Sequence, residues 1–205
     1  MATTLQASAI TIRMLLDDFN LQLDQSGRLD EDWQGQLPEL TEQEIEQLNR
    51  IQAGYLNQLL YPPLSEKTIQ LSVLGPLFFL AGFYLPPFHL QAEKSTEIVS
   101  EDEGVIIRGQ LDLLIARDGF WVLAIESKRA AFSSEAGFAQ LIAYMLDDPN
   151  KSEPSYGLVT SGSDFLFVKL LHGSPPQCIT SLQLAMRNRS DVHQVFQIMK
   201  WLAER

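Results

Sequence analysis

The sequence predicts an α/β sandwich with a central mixed sheet, an N-terminal helical arm and a C-terminal helix. Three observations carry this prediction. Residues 105–116 follow the two-residue period of a half-buried strand, and turn residues connect them to another apolar run. The segments around 41–59 and 191–202 instead repeat their apolar residues at helical spacing.

Residues 1–64 are predicted to form the helical arm, and residues 65–205 the α/β domain. A short helix is expected over 8–23, and a loop over 23–39. Thr41 and Glu44 have the spacing of a capping box, which predicts a helix start there. An apolar stripe then continues until Pro62 and Pro63, and it consists of Ile45, Leu48, Ile51, Tyr55, Leu56 and Leu59.

The next elements are a helix from Ser65, which Pro76 kinks or divides, and three strands over 88–99, 105–116 and 120–127. Asp118 and Gly119 predict a hairpin between the second and third strands. Strict alternation in the second strand would place one set of side chains on the same face, namely Val105, Ile107, Leu111, Leu113 and Ile115.

The rest of the chain predicts a helix, two strands and a final helix. Ser133 or Ser134 is expected to cap a helix that continues to about residue 146. Strands follow over 156–160 and 165–171, and Asp191 is expected to cap the last amphipathic helix.

Composition limits the functional classes. The 205 residues contain 26 acidic and 15 basic side chains, so the net charge of −11 opposes unaided binding to phosphates. The apolar segment 71–85 is shorter than the roughly 20 residues of a membrane span, and the N-terminus lacks a secretory signal. We expect a soluble, cytoplasmic protein that does not bind membranes. A single cysteine, Cys178, and three scattered histidines disfavour a cysteine nucleophile or a zinc site.

The chemically suggestive residues lie on the central hairpin. Asp112 lies late in one strand, and the predicted pairing puts it opposite residues 124–126 of the next. Glu126 and Lys128 are two residues apart, so their side chains leave the same face. Two carboxylates can bind Mg²⁺. A neighbouring ammonium group can stabilise the negative charge that develops during hydrolysis, or it can orient or deprotonate the attacking water.

At these residues the sequence resembles the PD-(D/E)xK nuclease superfamily. The likeness lies in 109–112, which read Gly-Gln-Leu-Asp, and in 126–128, which read Glu-Ser-Lys. Gln140 and Tyr144 add the Q-x-x-x-Y pair of RecB-like nucleases and of the N-terminal nuclease domain of type I restriction R subunits. The superfamily's proline before the aspartate is replaced here by Leu111. The resemblance covers residues 66–171.

The resemblance implies a restriction endonuclease-like three-layer α/β/α core and a nuclease that uses Mg²⁺, with Mn²⁺ as a substitute. It implies Asp112 and Glu126 as metal ligands, with Glu66 as a third and Glu93 as a rival to it. Lys128 would be the catalytic cation, assisted by Gln140. Substrate contacts would come from Tyr144 and from two residues that share the strand face of Asp112, namely Arg108 and Gln110.

Several alternatives stay open at the level of sequence. Asp112 and Lys128 could form an ion pair without metal, and Gln140 and Tyr144 could simply tie their helix to the sheet. The chain could then be an inactive nuclease-like module for binding or assembly. If it is active, the expected substrate is nucleic acid, with DNA favoured. No ATPase loop is present, so we also expect a separate motor or specificity subunit, and pairing into a homodimer.

Overall fold

The computed structural model describes residues 3–99, 105–128 and 135–205. In these residues nine strands form one sheet that is mixed and mostly antiparallel. Their bounds are β1 Thr3–Gln6, β2 Gln22–Asp24, β3 Phe88–Val99, β4 Val105–Arg117, β5 Phe120–Ser127, β6 Ser155–Thr160, β7 Asp164–Leu171, β8 Gln177–Thr180 and β9 Leu184–Ala185.

The sheet order is β1-β4-β5-β6-β7-β8-β2, and β3 and β9 pair with β4 and β7. Strand β3 runs along one edge of β4, against residues 106–117. The other edge of β4 is shared, because β1 pairs with residues 105–108 and β5 with 113–117. Residues 109–112 therefore lie between two partners on that edge. This opening in the strand pairing includes the aspartate of the sequence motif.

Helices cover both faces of the sheet. Their bounds are α1 Ile12–Asp18, α2 Glu42–Gln58, α3 Glu66–Ile69, α4 Gly75–Leu80, α5 Glu135–Met145 and α6 Arg189–Glu204, with a π-helical segment over Gln70–Leu74. On one face α2, α4 and α6 bury a core that includes Tyr55, Phe78 and Phe196. On the other, α1 and α5 bury Leu15 and Leu141.

The side chains of β4 do not alternate regularly, and this corrects the prediction. Ile107 and Leu111 pack toward α5, whereas Leu113 and Ile115 pack toward α2 and α6. The change of face occurs at Asp112. Leu111 and Leu113 of β4 pair with residues 94 and 92 of the neighbouring strand β3, so Glu93 of β3 lies opposite Asp112. The backbone of Glu93 is in the left-handed region, with a φ of 55°. Both strands are therefore distorted where the motif aspartate lies.

Several predicted elements are confirmed. Thr41 and Glu44 form the capping box of α2, and the Ser65 side chain accepts from the Thr68 amide at the start of α3. Strands β3 and β5 have the predicted bounds. The hairpin turn contains Asp118 and Gly119, both with positive φ. Pro76 lies in the first turn of α4, directly after the π-helical segment, and the helical run from Glu66 to Leu80 is continuous, so the predicted division at Pro76 is not seen.

Other predictions were wrong or incomplete. Residues 1–64, predicted as a helical arm, also supply β1 and β2 to the central sheet. The last helix begins after the cap residue Asn188, and Asp191 instead accepts from the Ala185 amide. Residues 133 and 134, the predicted caps of α5, lie outside the described residues. Among the described residues, no helix has the length and apolar character to span a bilayer.

Candidate active site

The candidate site lies at the opening in the β4 pairing. Asp112 is half-buried there, and one of its carboxylate oxygens, Oδ2, accepts two hydrogen bonds from Ser127. The Ser127 amide donates over 2.8 Å and its hydroxyl over 2.7 Å. The register pairs Leu113 with Ile125, which places Asp112 next to Glu126 across the two strands. Beyond Leu113 and Ile125, the last residues that pair between β4 and β5, the carboxylate of Asp112 accepts from the Ser127 amide in place of a backbone carbonyl.

Gln70 supports this contact from the helical layer. Its side-chain Nε2 donates to the Ser127 hydroxyl over 2.8 Å, so that hydroxyl accepts from Gln70 while it donates to Asp112. Gln70 begins the π-helical segment, a local widening that occurs often at functional sites. Neither Gln70 nor Ser127 was assigned a role from the sequence. Ser127 was visible only as the middle residue of the Glu-Ser-Lys motif.

Glu126 is the most deeply buried acid of the site, with 1% of its surface exposed. Its Oε1 accepts from Lys128 over 2.5 Å, whereas its Oε2 is buried without a hydrogen-bond partner among the described residues. Burial and, to a lesser extent, the negative charge of Asp112 raise the pKa of Glu126, Lys128 opposes both effects, and the resulting pKa is about 8. An unpartnered buried carboxylate oxygen is unfavourable unless something else binds it.

Lys128 is held from the side of α5. Its ammonium donates to Glu126 and, over 3.1 Å, to the Gln140 side-chain oxygen. The amide of Gln140 donates in turn to the Tyr144 hydroxyl over 2.7 Å. Lys128 forms no ion pair with Asp112, whose partner is Ser127. The Q-x-x-x-Y pair is therefore the far end of a hydrogen-bonded chain that leads to Glu126.

Tyr144 is 1% exposed, and its hydroxyl accepts the hydrogen bond from Gln140. Burial raises the pKa of its hydroxyl to about 12, so the phenol is neutral at physiological pH. The hydroxyl lies against Gly109, where an added Cβ would come within 2.6 Å of it. The glycine that opens the Gly-Gln-Leu-Asp motif therefore leaves room for the tyrosine.

Gly137 makes a second close approach, which the sequence analysis missed. A Cβ at this position of α5 would lie 3.1 Å from Glu126 Cγ and 3.2 Å from Lys128 Cε. Such distances are shorter than ordinary van der Waals contacts, so a side chain here would press on the acid and the cation together. A glycine on the first described turn of α5 lets the helix approach both.

The other predicted site residues make no direct contact with Asp112, Glu126 or Lys128 among the hydrogen bonds and ion pairs of the described residues. Glu66 is half-buried on α3, and its charge makes a small contribution that raises the pKa of Glu126. The rival acid Glu93 is exposed and pairs with Lys67 over 3.4 Å. Arg108 is exposed and pairs with Glu97 over 2.6 Å. Gln110 is exposed on the same strand.

The donor set fits a hard divalent cation in part. Among the described residues, no group of three His, Cys, Asp or Glu side chains is close enough to form a complete metal site. Asp112 and Glu126 nevertheless supply two neighbouring carboxylates, and Glu126 Oε2 has no hydrogen-bond partner within residues 3–99, 105–128 and 135–205. Mg²⁺ accepts a site of this kind, since it is commonly bound by one or two carboxylates and completes its shell with water and phosphate.

A second cluster brings a serine, a histidine and an aspartate together. The Ser155 hydroxyl donates to Asp148 over 2.5 Å and lies 2.5 Å from His172 Nε2. A nucleophilic triad requires the aspartate to bind the histidine and the serine to face a substrate, and Ser155 is only 2% exposed. This cluster therefore ties a loop to the sheet.

Burial also raises the pKa of Cys178 to about 12, which excludes a reactive thiolate.

No model of a known protein family matches the chain, and no curated protein is significantly similar to it. Its function is therefore inferred from the geometry of the site.

Proposed function

We propose that this chain is a Mg²⁺-dependent nuclease that hydrolyses phosphodiester bonds of nucleic acid, with DNA as the favoured substrate. The observation that carries the proposal is Glu126, a buried carboxylate beside Asp112 and in contact with Lys128, with one oxygen that has no hydrogen-bond partner in the part of the chain that the structure describes. A carboxylate that serves only the fold would find a partner for each oxygen. A metal-binding carboxylate needs an oxygen that the protein leaves free.

We further infer that the core belongs to the restriction endonuclease-like fold. The element order supports this, because helices α2 to α4 precede the antiparallel strands β3, β4 and β5, and α5 then leads to β6. Strand β6 pairs with β5 in parallel, as a crossover through a helix requires. Helices on both faces support a three-layer α/β/α arrangement.

In the proposed mechanism Asp112 and Glu126 would hold the cation. When bound, Mg²⁺ would lower the pKa of a bound water and neutralise charge that builds on the phosphate. Ser127 fixes the direction of the Asp112 carboxylate through its two hydrogen bonds. Gln70 holds the Ser127 hydroxyl in turn.

Lys128 acts on the substrate as a cation. An ammonium has three protons, and two of them are directed to Glu126 and Gln140. The third is available to the attacking water or to a non-bridging phosphate oxygen. As the water oxygen loses a proton to solvent and forms its bond to phosphorus, the ester P–O bond breaks and the leaving oxygen takes a proton from solvent. The positive charge of Lys128 stabilises the negative charge that accumulates on the phosphate during this step.

The acidic chain supports a nuclease that depends on a separate subunit. With a net charge of −11, long-range attraction to DNA is absent, and the exposed Arg108 is already paired with Glu97. A motor or specificity subunit that delivers the strand would remove this difficulty. A homodimer would supply a second site for the second strand of a duplex.

Titration calorimetry with Mg²⁺ and Mn²⁺ tests the proposed metal site. The wild-type chain should bind either cation, whereas an Asp112→Ala/Glu126→Ala double variant should not. Asp118→Asn removes an exposed acid from the hairpin turn and should bind as the wild type does. If the wild-type chain and the double variant behave alike, with metal alone and with a DNA oligonucleotide present, the nuclease proposal fails. The chain would then be better described as an inactive module for binding or assembly.

A further inference from the structure

An apolar groove of about 790 Å³ lies beside the candidate site, between α2, the π-helical segment and α4. Its wall includes side chains that are unusually exposed for their apolar character, with Leu71 at 79% and Phe79 at 70%. Tyr84 adds a second aromatic ring, which is 46% exposed. Exposed aromatic faces of this kind require an explanation, because folding alone would bury them.

The polar residues of the groove are nearly all neutral. Three glutamines line it, Gln43 and Gln47 from α2 and Gln70 from the π-helical segment, together with one cation, Lys67. Although the chain has 26 acidic side chains, none of the described residues that line this groove is an aspartate or a glutamate. A polyanion can therefore approach here with less repulsion than an acidic surface would cause.

The groove is continuous with the site. Gln70 lines it and also donates to Ser127, which holds Asp112. Leu113, the residue after Asp112, contributes to its floor. A chain that lies in the groove would therefore pass close to the residues that hold Asp112.

We propose that this groove binds unpaired bases of single-stranded nucleic acid and leads the strand to the carboxylates. The inference rests on the proposed nuclease function and names its substrate as a single strand. Phe79 and Tyr84 provide surfaces on which bases stack, which contributes about 1–3 kcal/mol per base in proteins that bind single strands. The glutamine amides can donate to and accept from base edges, and Lys67 can contact a phosphate.

A duplex fits the groove less well. Its bases are already stacked on each other, so the aromatic rings would have no base faces to contact unless the strands separate. Two other occupants, an apolar helix of a partner protein and a second copy of this chain, would use the leucines and the phenylalanine. They would not use Lys67, which pairs with Glu93 at the surface, and they would cover the route to Asp112.

The test is fluorescence anisotropy with a labelled oligothymidine of about 12 nucleotides, a length within the range of single-strand sites. EDTA is present, so binding is measured without cleavage, and a duplex of the same length is the comparison. Phe79→Ala is the test variant, because its exposed ring can be removed without opening the core. Tyr61→Ala is the matched control, since Tyr61 is 72% exposed but does not line the groove.

The wild type should bind the single strand about tenfold more tightly than the duplex, and Phe79→Ala should lose about tenfold in single-strand affinity. Tyr61→Ala should bind as the wild type does. Equal affinities of Phe79→Ala and Tyr61→Ala, or of duplex and single strand, would overturn the proposal. So would a wild-type dimer that Phe79→Ala converts to a monomer with strand affinity unchanged, because the groove would then be an interface between copies.

The same proteins separate this inference from the nuclease proposal. If strand binding depends on Phe79 but the chain cleaves no nucleic acid with Mg²⁺, the groove assignment stands and the catalytic proposal fails. If cleavage depends on Asp112 but is insensitive to Phe79 on single strands, the catalytic proposal stands and the groove assignment is wrong.

Discussion

Ser127 donates two hydrogen bonds to a single oxygen of Asp112, one from its amide and one from its hydroxyl. The contact occurs where β4 changes the face toward which its side chains point and where its pairing with β5 ends. The distortion of the strand and the position of the motif aspartate are thus one feature. A regular strand would direct the Ser127 amide to a backbone carbonyl instead, and Asp112 would lose this anchor.

Ser127→Ala removes one of the two anchors and should weaken Mn²⁺ binding about tenfold, the factor expected for a hydrogen bond to a charged group. Calorimetry measures the effect. Ser190→Ala serves as the control, because it removes an exposed serine hydroxyl that hydrogen-bonds to Asn188 away from the site. Equal Mn²⁺ affinity of Ser127→Ala and the wild type would mean that the amide alone positions Asp112.

Stability without metal should depend on pH through Glu126. Its pKa is about 8 in the folded chain and near 4.5 when unfolded, so between these values the folded state holds a proton that the unfolded state has lost. This contribution is complete below pH 4.5 and disappears as the pH rises through 8. Urea unfolding in EDTA should therefore give a smaller decline from pH 5 to 8 for Glu126→Gln than for the wild type. Parallel declines would show that Glu126 does not titrate in this range.

Tyr144→Phe keeps the buried ring but removes the hydroxyl that accepts from Gln140. Gln140 then holds Lys128 less firmly, and the cleavage rate should fall about tenfold for the loss of one positioned hydrogen bond. Mn²⁺ affinity should stay unchanged, because Asp112 and Glu126 keep their surroundings. Tyr61→Phe, at an exposed position, is the control. A loss of metal affinity in Tyr144→Phe would mean that the tyrosine acts on the carboxylates and not on the cation.

Gly137→Ala tests the close approach of α5. The added methyl group would press on Glu126 and Lys128 and should lower both metal affinity and cleavage. Gly54→Ala is the matched control, because Gly54 is also helical and an added Cβ there meets nothing within 4 Å. That control should gain about 1 kcal/mol in the free energy of unfolding, as glycine is a poor helix former. Full cleavage activity of Gly137→Ala would show that the helix can shift without consequence.

The sequence predicted the parts of the fold that depend on local pattern. The strand over 105–116, the turn at Asp118 and the capping box at Thr41 each have a short-range physical cause, and each was confirmed. Strands β1 and β2 were missed because they are short and are defined by distant partners, β4 and β8. The face change at Asp112 was missed for a similar reason, since strict alternation is the only rule that one strand provides.

The candidate site likewise contains residues that the local sequence pattern predicted and residues that only the three-dimensional packing brings in. Asp112, Glu126 and Lys128 were predicted as neighbours from hairpin geometry, and the structure places them together. Gln70 was not predicted, because it is 57 residues from Ser127 in sequence and reaches it only through the packing of the π-helical segment. The closeness of Gly137 to Glu126 likewise depends on how α5 packs on the sheet. Such contacts have no signal in the order of residues.

The most direct test of the account is cleavage of labelled single-stranded and duplex DNA by the purified chain with Mg²⁺, beside Asp112→Asn and Lys128→Ala. A Mg²⁺-dependent nuclease site at Asp112 and Lys128 predicts cleavage by the wild type that EDTA abolishes, with at least a hundredfold loss of rate in each variant, as is typical when a group that stabilises transition-state charge is removed. Cleavage that both variants retain, or no cleavage of either DNA by the wild type with Mg²⁺ or Mn²⁺, would contradict it.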